Sequence, residues 1–277
     1  MPVGAEGIGY ANVDEVEVEA FGPSSLAVAP GGDVWIADVV NSRLHRYGLD
    51  GAHLATLDLA EFEIANPVDL AAGPDGLLIL DVYPATSRYR VVHLDHSGVL
   101  QAAIALPEGL WLEDGLTGVA WGSHGDIWVE LEFGNRVASL DLSAAEPSFE
   151  ETVGYPYATG AFSQQPGDPF AFRAGFHSIA IASTSEWGGL TLVGVNPDGS
   201  FVLQLDEVYL DENGAFIVVE SVHLYDHDGE HIGLAPFPLE QQFLPVNHAL
   251  ALGPDGYVYG LITDRASVRV VRLNYGR

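Results

Sequence analysis

Short runs of alternating apolar and polar residues recur along the chain, and glycine-rich turns separate them. Residues 24–59 contain four such runs, with the sequences SSLAVAP, DVWIAD, RLHRYGLDG and AHLATLDL. Runs of four to eight residues with a period of two predict β-strands, whereas no segment shows the longer period of an amphipathic helix. The pattern therefore predicts an all-β protein.

The same order of four runs returns along the chain. Segments that begin PVDLAAGP, LTGVAWGS and NHALALGP repeat it. The turn after the third run recurs at intervals of 47, 46, 55, 30 and 47 residues, with a mean of 45, at Gly51, Gly98, Ala144, Gly199, Gly229 and Gly276. Four strands in a repeat of this length are typical of a β-propeller blade. Six turns predict a six-bladed β-propeller of four-stranded blades.

The N-terminus is predicted to close this ring. The last repeat ends at Arg277 with three strands, and the alternating segment 15–22, EVEVEAFG, is expected to supply the fourth. Residues 1–14 are then an extended leader. This closure predicts a single domain over 1–277, with blades at about 23–60, 65–107, 112–153, 157–206, 207–238 and 244–277.

The strand register is ambiguous over residues 157–215. The run FHSIAIAS, at 176–183, matches the first strand of other blades. It is instead a second strand if YATGAFSQ, at 157–164, comes first. Both assignments stay open at the level of sequence, and the position of His177 depends on them.

The amino-acid composition excludes several kinds of catalytic group and binding partner. The chain has 277 residues, with 39 acidic and 10 basic side chains, a net charge of −29 and no cysteine. All ten basic residues are arginine, which excludes catalytic lysines, and the absence of cysteine excludes thiolate nucleophiles and disulfides. So negative a surface repels nucleic acid and anionic membranes. We therefore expect neither nucleic-acid binding nor membrane insertion.

Three explanations for the acidity remain open: solvation at high salt, a secreted surface that repels anions, and carboxylates gathered for cations. The N-terminus shows no basic region followed by an apolar run, so no signal peptide is visible, although a leader removed earlier stays possible. We expect an extracellular or periplasmic monomer.

The repeat resembles the NHL-type propeller repeat. The segment Asp38–Arg43, DVVNSR, carries an Asp…Asn-x-Arg pattern between the second and third strands, and Glu130…Asn135-Arg136 and Asp81…Arg88 are looser copies. Propellers of similar architecture include virginiamycin-lyase-like proteins, amidating lyases, and gluconolactonase-like and strictosidine-synthase-like enzymes. In those enzymes the resemblance implies a metal or polar site on the propeller axis. Many other NHL proteins are binding platforms, so the fold alone leaves the function open.

Two histidines are candidates for that axial site. First strands line the channel of a propeller, and His177 and His248 fall at equivalent first-strand positions. Virginiamycin-lyase-like proteins are similar in carrying a Pro-His step there, whereas Phe176 and Asn247 precede the histidines here. The pair could bind a divalent cation (Ca²⁺, Mg²⁺ or Zn²⁺) or transfer protons. The alternative is that each histidine satisfies a backbone carbonyl.

Acidic residues end the second strands of four blades, at Asp38, Asp81, Glu130 and Glu220. They are expected to form a partial ring on one face, and carboxylates brought together protonate, pair with arginine or bind a cation. Alternatively, Asp38, Asp81 and Glu130 form ion pairs with Arg43, Arg88 and Arg136, respectively. Glu220 has no arginine nearby in its own blade. The predicted catalytic residues are His177, His248, Glu130 and Glu220, and the predicted ligand-binding residues are Asp38, Asp69, Asp81, Tyr83, Phe133, Trp187 and Asn247.

A second cluster of potential metal ligands, DHDGEH at 226–231, coincides with the turn after a third strand. It is interpreted as a hairpin turn, since Asp-Gly favours such turns. His45 and His223 share a third-strand position and are expected to pack between blades or at the rim.

Two functions follow from these residues. The first is a non-enzymatic propeller whose axial face binds a small molecule, glycan or peptide. The second is a metal-assisted lyase or hydrolase in which His177 and His248 hold the metal and Glu130 or Glu220 moves the proton. The missing lysines and abundant acids favour cationic or neutral ligands over anionic ones.

Overall fold

The protein is an all-β propeller in the computed structural model. The structure describes the chain except residues 5, 16–17, 84–85, 87, 108–114, 123–124, 132–135, 142–147, 154, 158–159, 165–169, 175–176, 182, 184, 186 and 276–277. In the described part, twenty-three strands form six antiparallel sheets. Short 3₁₀ helices lie at Leu59–Phe62 and Leu239–Gln241. None of the helices described is long and apolar enough to cross a membrane.

The first three sheets follow the predicted repeat. In each, four consecutive strands pair in chain order. The first contains β1 (Ser25–Val28), β2 (Val34–Asp38), β3 (Arg43–Tyr47) and β4 (His53–Asp58). The second contains β5 (Pro67–Gly73), β6 (Gly76–Tyr83), β7 (Arg88–Leu94) and β8 (Leu100–Ala105). The third contains β9 (Leu116–Trp121), β10 (Ile127–Leu131), β11 (Arg136–Asp141) and β12 (Ser148–Val153).

The fourth and fifth sheets depart from the predicted bounds, whereas the sixth lies within them. The fourth contains β13 (Tyr155–Tyr157), β14 (Gly160–Gln164), β15 (Ala171–Ala174) and β16 (His177–Ala180). The fifth contains β17 (Trp187–Val195), β18 (Phe201–Leu210), β19 (Phe216–Tyr225) and β20 (His231–Pro236). The sixth contains β21 (Leu250–Leu252), β22 (Val258–Thr263) and β23 (Val268–Arg272).

The boundary predicted at 206/207 between the fourth and fifth blades is wrong. Residue 206 lies in the middle of β18, and the fifth sheet already begins with β17. The prediction treated a compact four-strand sheet at 155–180 as the start of one longer blade. The turn rule then assigned Gly199, which joins β17 to β18, to a turn after a third strand.

The blade count also differs from the prediction. Among the described residues, five sheets are four-stranded blades and the sheet β21–β23 has three strands, so the structure shows five complete blades where six were predicted. In the described part of segment 15–22, Phe21 pairs back with Ala11 and not with the sheet β21–β23. Met1–Val3 instead lies beside the start of β23, where Met1 and Val268 exchange backbone hydrogen bonds.

The core consists of apolar side chains buried between neighbouring sheets. Between the first two, for example, Leu44, Ile79 and Val92 are fully buried in one cluster. The first strands lie side by side around the axis: β1 contacts β5, β5 contacts β9, β17 contacts β21 and β21 contacts β1. This arrangement brings the starts of the first strands together at one end of the axis.

Candidate functional site

First strands from five sheets line an axial cavity of about 380 Å³. At the end where these strands begin, its wall is polar and carries Asp69, Asp206 and His248, with Glu130 reaching in from β10. At the far end the wall is formed by small, aliphatic and aromatic residues: Val28, Ala72, Trp121, Gly194 and Leu252. The cavity is therefore polar at one end and largely apolar at the other.

Asp69 is the centre of the polar end. It is buried, accepts a hydrogen bond from the Ser25 hydroxyl at 2.7 Å, and accepts another from the Val119 backbone N–H at 2.9 Å. Ser25 Oγ also accepts from the Leu70 N–H at 3.2 Å. These bonds join three sheets, so the position of the carboxylate is fixed by the ring and not by its own strand alone.

His248 spans the polar end from the opposite side. Backbone hydrogen bonds hold it beside Ser24 and Leu26, and its Nε2 lies 2.6 Å from the Thr117 carbonyl oxygen. Its Nδ1 lies 3.6 Å from Asp69 Oδ1. Burial by itself would lower the pKa of His248, but Asp69, Glu130 and the Thr117 carbonyl together raise it. The imidazole is therefore readily protonated, with both nitrogens facing acceptors.

Glu130 completes this group. Burial raises the pKa of its carboxyl to about 7; the charge of Asp69 adds to the rise and His248 opposes it. Gly118 lies opposite Glu130 on β9, and a methyl group there would lie 2.5 Å from Glu130 Oε2 and 3.0 Å from Asp69 Oδ2. Only glycine leaves room for the two carboxyl groups to approach each other. A carboxyl that titrates near neutrality can both donate and accept a proton.

A second carboxyl pair lies in the fifth blade. Asp206 and Glu220 are cross-strand partners on β18 and β19, and Asp206 lines the axial cavity. Burial and the charge of Asp206 raise the pKa of Glu220 to about 8. Burial also raises the pKa of Asp206, although a hydrogen bond from the Gln204 amide opposes the rise. The pair therefore tends to keep a proton at neutral pH.

The structure brings together four of the residues predicted from sequence: Asp69, Glu130, Asn247 and His248 line one cavity. Glu220 adjoins the cavity through Asp206, which the sequence analysis missed. The signal was present, because Gln204 and Asp206 are polar at alternate positions of an apolar run and therefore share a face. Ser25, the hydrogen-bond donor to Asp69, was also not selected.

Three other predicted residues have partners away from the cavity. Asp38 is fully buried and accepts hydrogen bonds from Gly9, Asn41 and His45. Asp81 is fully buried and pairs with Arg90 at 2.8 Å, so the ion pair predicted with Arg88 forms instead with a neighbouring arginine.

Tyr83, the third of these residues, donates to Glu63 at 3.3 Å and lies under the Arg90 guanidinium. These contacts hold its ring at the outer end of β6. The four acids predicted at the ends of second strands thus do not form one ring around the axis. Asp38 and Asp81 are held by partners away from the cavity, and Glu220 lies within β19, which is the third strand of its sheet.

The predicted equivalence of the two histidines is wrong. His248 precedes β21, the first strand of its sheet, whereas His177 begins β16, the last strand of the fourth sheet. The sequence left 176–183 open as a first or a second strand, and neither assignment is right, because β16 is the fourth strand of its sheet. Trp187 begins β17, and the side chains of His177 and Trp187 lie outside the described part, as does Phe133 altogether.

The described axial residues do not by themselves supply a site for the divalent cation that the sequence analysis expected. In the described part of the chain, no three His, Asp or Glu side chains converge on a point that could hold a metal ion. His248 is the one axial histidine among the described lining residues, and its two nitrogens already face Thr117 and Asp69. The chemistry that the described axial residues support is hydrogen bonding and proton transfer.

Comparisons with known proteins agree with the fold. Residues 22–47 match the NHL repeat, which confirms the predicted resemblance for the first blade. No curated protein matches the chain.

Among solved structures, virginiamycin B lyase from Staphylococcus aureus is similar with a TM-score of 0.52 at 12% identity, over 96% of this chain and 98% of that one. A streptogramin B lyase gives 0.51 at 12% identity, over 97% of both chains. A DUF4221 family member from Bacteroides vulgatus gives 0.57 at 11% identity, over 98% of this chain and 96% of that one. At these identities the likeness shows the propeller fold and nothing finer.

Proposed function

We propose that this protein is a ligand-binding propeller whose axial cavity takes a small molecule with amine or hydroxyl groups at one end and an apolar body. The observation that carries the proposal is the cavity of about 380 Å³, polar where the first strands begin and largely apolar beyond. Cavities of a few hundred Å³ with a few convergent polar groups are typical of small-molecule sites.

Charge supports a cationic or neutral ligand. Three carboxyl groups and one imidazole line the cavity, and no arginine is among its described lining residues. The net charge of −29 extends the negative potential beyond the cavity and concentrates cations near its mouth. An anionic ligand would meet Asp69 and Asp206 without a compensating guanidinium.

Binding of chosen probes tests this proposal. Isothermal titration would compare spermidine and glucosamine as amines, glucose as a neutral polyol and citrate as an anion. We expect the amines to bind more tightly than glucose, citrate not to bind, and Asp206→Asn to weaken amine binding about tenfold. Asp228→Asn, an exposed turn residue, is the matched control for the lost charge. Binding of citrate as tight as that of the amines, or equal effects of the two substitutions, would contradict the proposal.

A second candidate function is acid–base catalysis by a lyase or hydrolase, and the pKa of about 7 at Glu130 favours it. Glu130 would move the proton, and the protonated His248 would stabilise negative charge that develops beside Asp69. This mechanism is the lyase or hydrolase alternative of the sequence analysis, with proton transfer in place of metal assistance.

Turnover separates the two functions. A panel of chromogenic esters, lactones and glycosides would be screened with the wild type and with Glu130→Gln. For the enzyme, we expect Glu130→Gln to abolish turnover while substrate binding persists, and an acid role of Glu130 to make the rate fall above about pH 7. Retained turnover in Glu130→Gln would remove Glu130 from the mechanism.

Other features remain proposals. We infer that Met1–Val3 and β21–β23 together act as the sixth, closing blade, since Met1 and Val268 exchange backbone hydrogen bonds. A monomeric state and an extracellular or periplasmic location belong to the same proposal, and the acidic, lysine-free composition is what supports them.

A further inference from the structure

Two hairpins of the propeller carry the same pattern, His-x-Tyr-x₅-His. It reads HRYGLDGAH at 45–53 in the first blade and HLYDHDGEH at 223–231 in the fifth. In both, the third and fourth strands have a one-residue register shift next to the tyrosine, which pairs with the second histidine. The two hairpins thus place their histidine pairs on equivalent backbone positions.

In the first blade the two histidine rings are occupied by other side chains. His45 Nε2 lies 3.3 Å from Asp38, and its Nδ1 lies 3.2 Å from the Thr56 hydroxyl. His53 Nε2 contacts the same hydroxyl at 2.9 Å. Asp38 and Thr56 therefore use both nitrogens of one ring and separate it from the other.

The fifth blade lacks both partners. Strand register places Leu205 at the position of Asp38, and Leu234 at the position of Thr56. His223 Nδ1 and His231 Nε2 consequently face each other directly, 3.3 Å apart. The other nitrogen of His223 lies 3.1 Å from the Ser221 hydroxyl.

We propose that His223 and His231 form a two-histidine site for a divalent transition metal such as Zn²⁺ or Cu²⁺. Two nitrogens that each lie about 2.0–2.1 Å from a tetrahedral ion are about 3.3 Å from each other, which is the separation found here. Imidazole nitrogen is a preferred ligand of both metals.

The surroundings of the pair fit this role. The Ser221 hydroxyl can accept from Nε2–H of His223, which leaves the Nδ1 lone pair directed at His231, as outer-shell partners of metal-bound histidines do. The Tyr225 ring packs edge-on against His231, with the ring centroids 5.2 Å apart, and it also stacks on Phe201. The His231 ring is therefore supported by a side chain that is itself packed.

Access and charge also favour a cation. His223 is buried, whereas His231 is exposed, so an ion reaches the pair from solvent. The turn between the two strands contributes the acidic side chains Asp226, Asp228 and Glu230, in a chain of net charge −29. In the part of the chain described, no third His, Asp or Glu joins the pair, so water completes the coordination and the metal is exchangeable.

The test uses the whole protein, treated with chelator and dialysed. Isothermal titration with Zn²⁺, in excess Mg²⁺ to occupy weak carboxylate sites, would compare the wild type with His231→Ala and with His53→Ala. His53 is the matched control, because it holds the same position in the first blade and is also exposed. We expect one equivalent of Zn²⁺ in the wild type, binding weakened at least about tenfold in His231→Ala and unchanged binding in His53→Ala.

A second variant and a spectroscopic measurement make the test independent of any single substitution. Leu234→Thr restores the hydroxyl of the first blade and is expected to weaken Zn²⁺ binding without removing either ligand. Electron paramagnetic resonance of bound Cu²⁺ should show coupling to two nitrogens, and to one in His231→Ala. No Zn²⁺ binding in the wild type, or equal losses in His231→Ala and His53→Ala, would overturn the proposal. The axial site plays no part in these outcomes.

Discussion

The first and fifth blades are built on one plan, yet they treat buried polar groups in opposite ways. In the first blade, Asp38 and His45 are bound to each other and to further side chains. In the fifth, Asp206 faces Glu220, and His223 faces His231. The first arrangement gives the buried carboxylate hydrogen-bond donors, whereas the second sets acid against acid and imidazole against imidazole.

The carboxyl pKa values express this difference. Burial would raise the pKa of Asp38, but hydrogen bonds from His45, Asn41 and Gly9 lower it below its usual value. Burial raises the pKa of Glu220 to about 8, and its neighbour Asp206 is another acid, not a donor. These two buried carboxyl groups therefore differ in pKa because the groups around them differ.

The largest expected effect on stability comes from replacing Asp38, and it tests whether the first blade depends on its buried network. Asp38→Ala removes a buried carboxylate and leaves His45, Asn41 and the Gly9 N–H without an acceptor, so we expect a loss of about 4 kcal/mol in the free energy of unfolding. Urea denaturation measures it. A loss below about 1 kcal/mol would show that the first blade does not depend on this network.

The stability that Glu220 contributes in the fifth blade should depend on pH with the opposite sign to the contribution of Asp38, whose pKa is lowered. The folded pKa of Glu220, about 8, exceeds its usual value of 4.5, so the folded protein keeps a proton that the unfolded chain releases within that window. Stability from this group therefore falls as pH rises from about 4.5 to 8.

Glu220→Gln tests that dependence. We expect it to remove the fall and to increase the free energy of unfolding at pH 8 by on the order of 3 kcal/mol relative to the wild type. Denaturation at several pH values measures it, with Asp228→Asn as the exposed control. Parallel pH profiles for Glu220→Gln and wild type would show that Glu220 titrates normally.

Thr56→Leu sharpens the comparison of the histidine pairs. It gives the first blade the residue type of the fifth and removes the hydroxyl that contacts both His45 and His53. We expect a loss of about 1 kcal/mol in stability and a new Zn²⁺ response that the wild-type first blade lacks. Titration of the double variant Thr56→Leu, His231→Ala isolates that response, and its absence would show that Asp38 alone keeps His45 from a metal.

The smallest effect should be shared by both blades. Gly51 and Gly229 occupy the equivalent hairpin turns with φ of +81° and +84°. Alanine at either position is strained there, and we expect about 1 kcal/mol of destabilisation from each substitution. Equal shifts in melting temperature would show that the two turns are equivalent, so that the blades differ in side chains and not in backbone.

The outcome for the candidate site followed the register of the strands. Asp69, Glu130 and His248 lie in repeats whose spacing is regular, and these residues do meet at the axis. His177 lies in the irregular stretch, where local patterns fit two strand orders, and neither order places it on the fourth strand of its sheet, where it lies. The same ambiguity hid Asp206.

Alternation and turn spacing determined the all-β propeller, because a period of two and regular glycine turns depend only on neighbouring residues. Charge and composition led to the expectation of cationic or neutral ligands, which stays a prediction. The tertiary structure alone decided which segment lies beside β23, which acids meet at the axis and which histidines face each other. Those outcomes depend on which side chains from distant parts of the chain reach the same buried partners. The local sequence pattern contains no information on these long-range contacts.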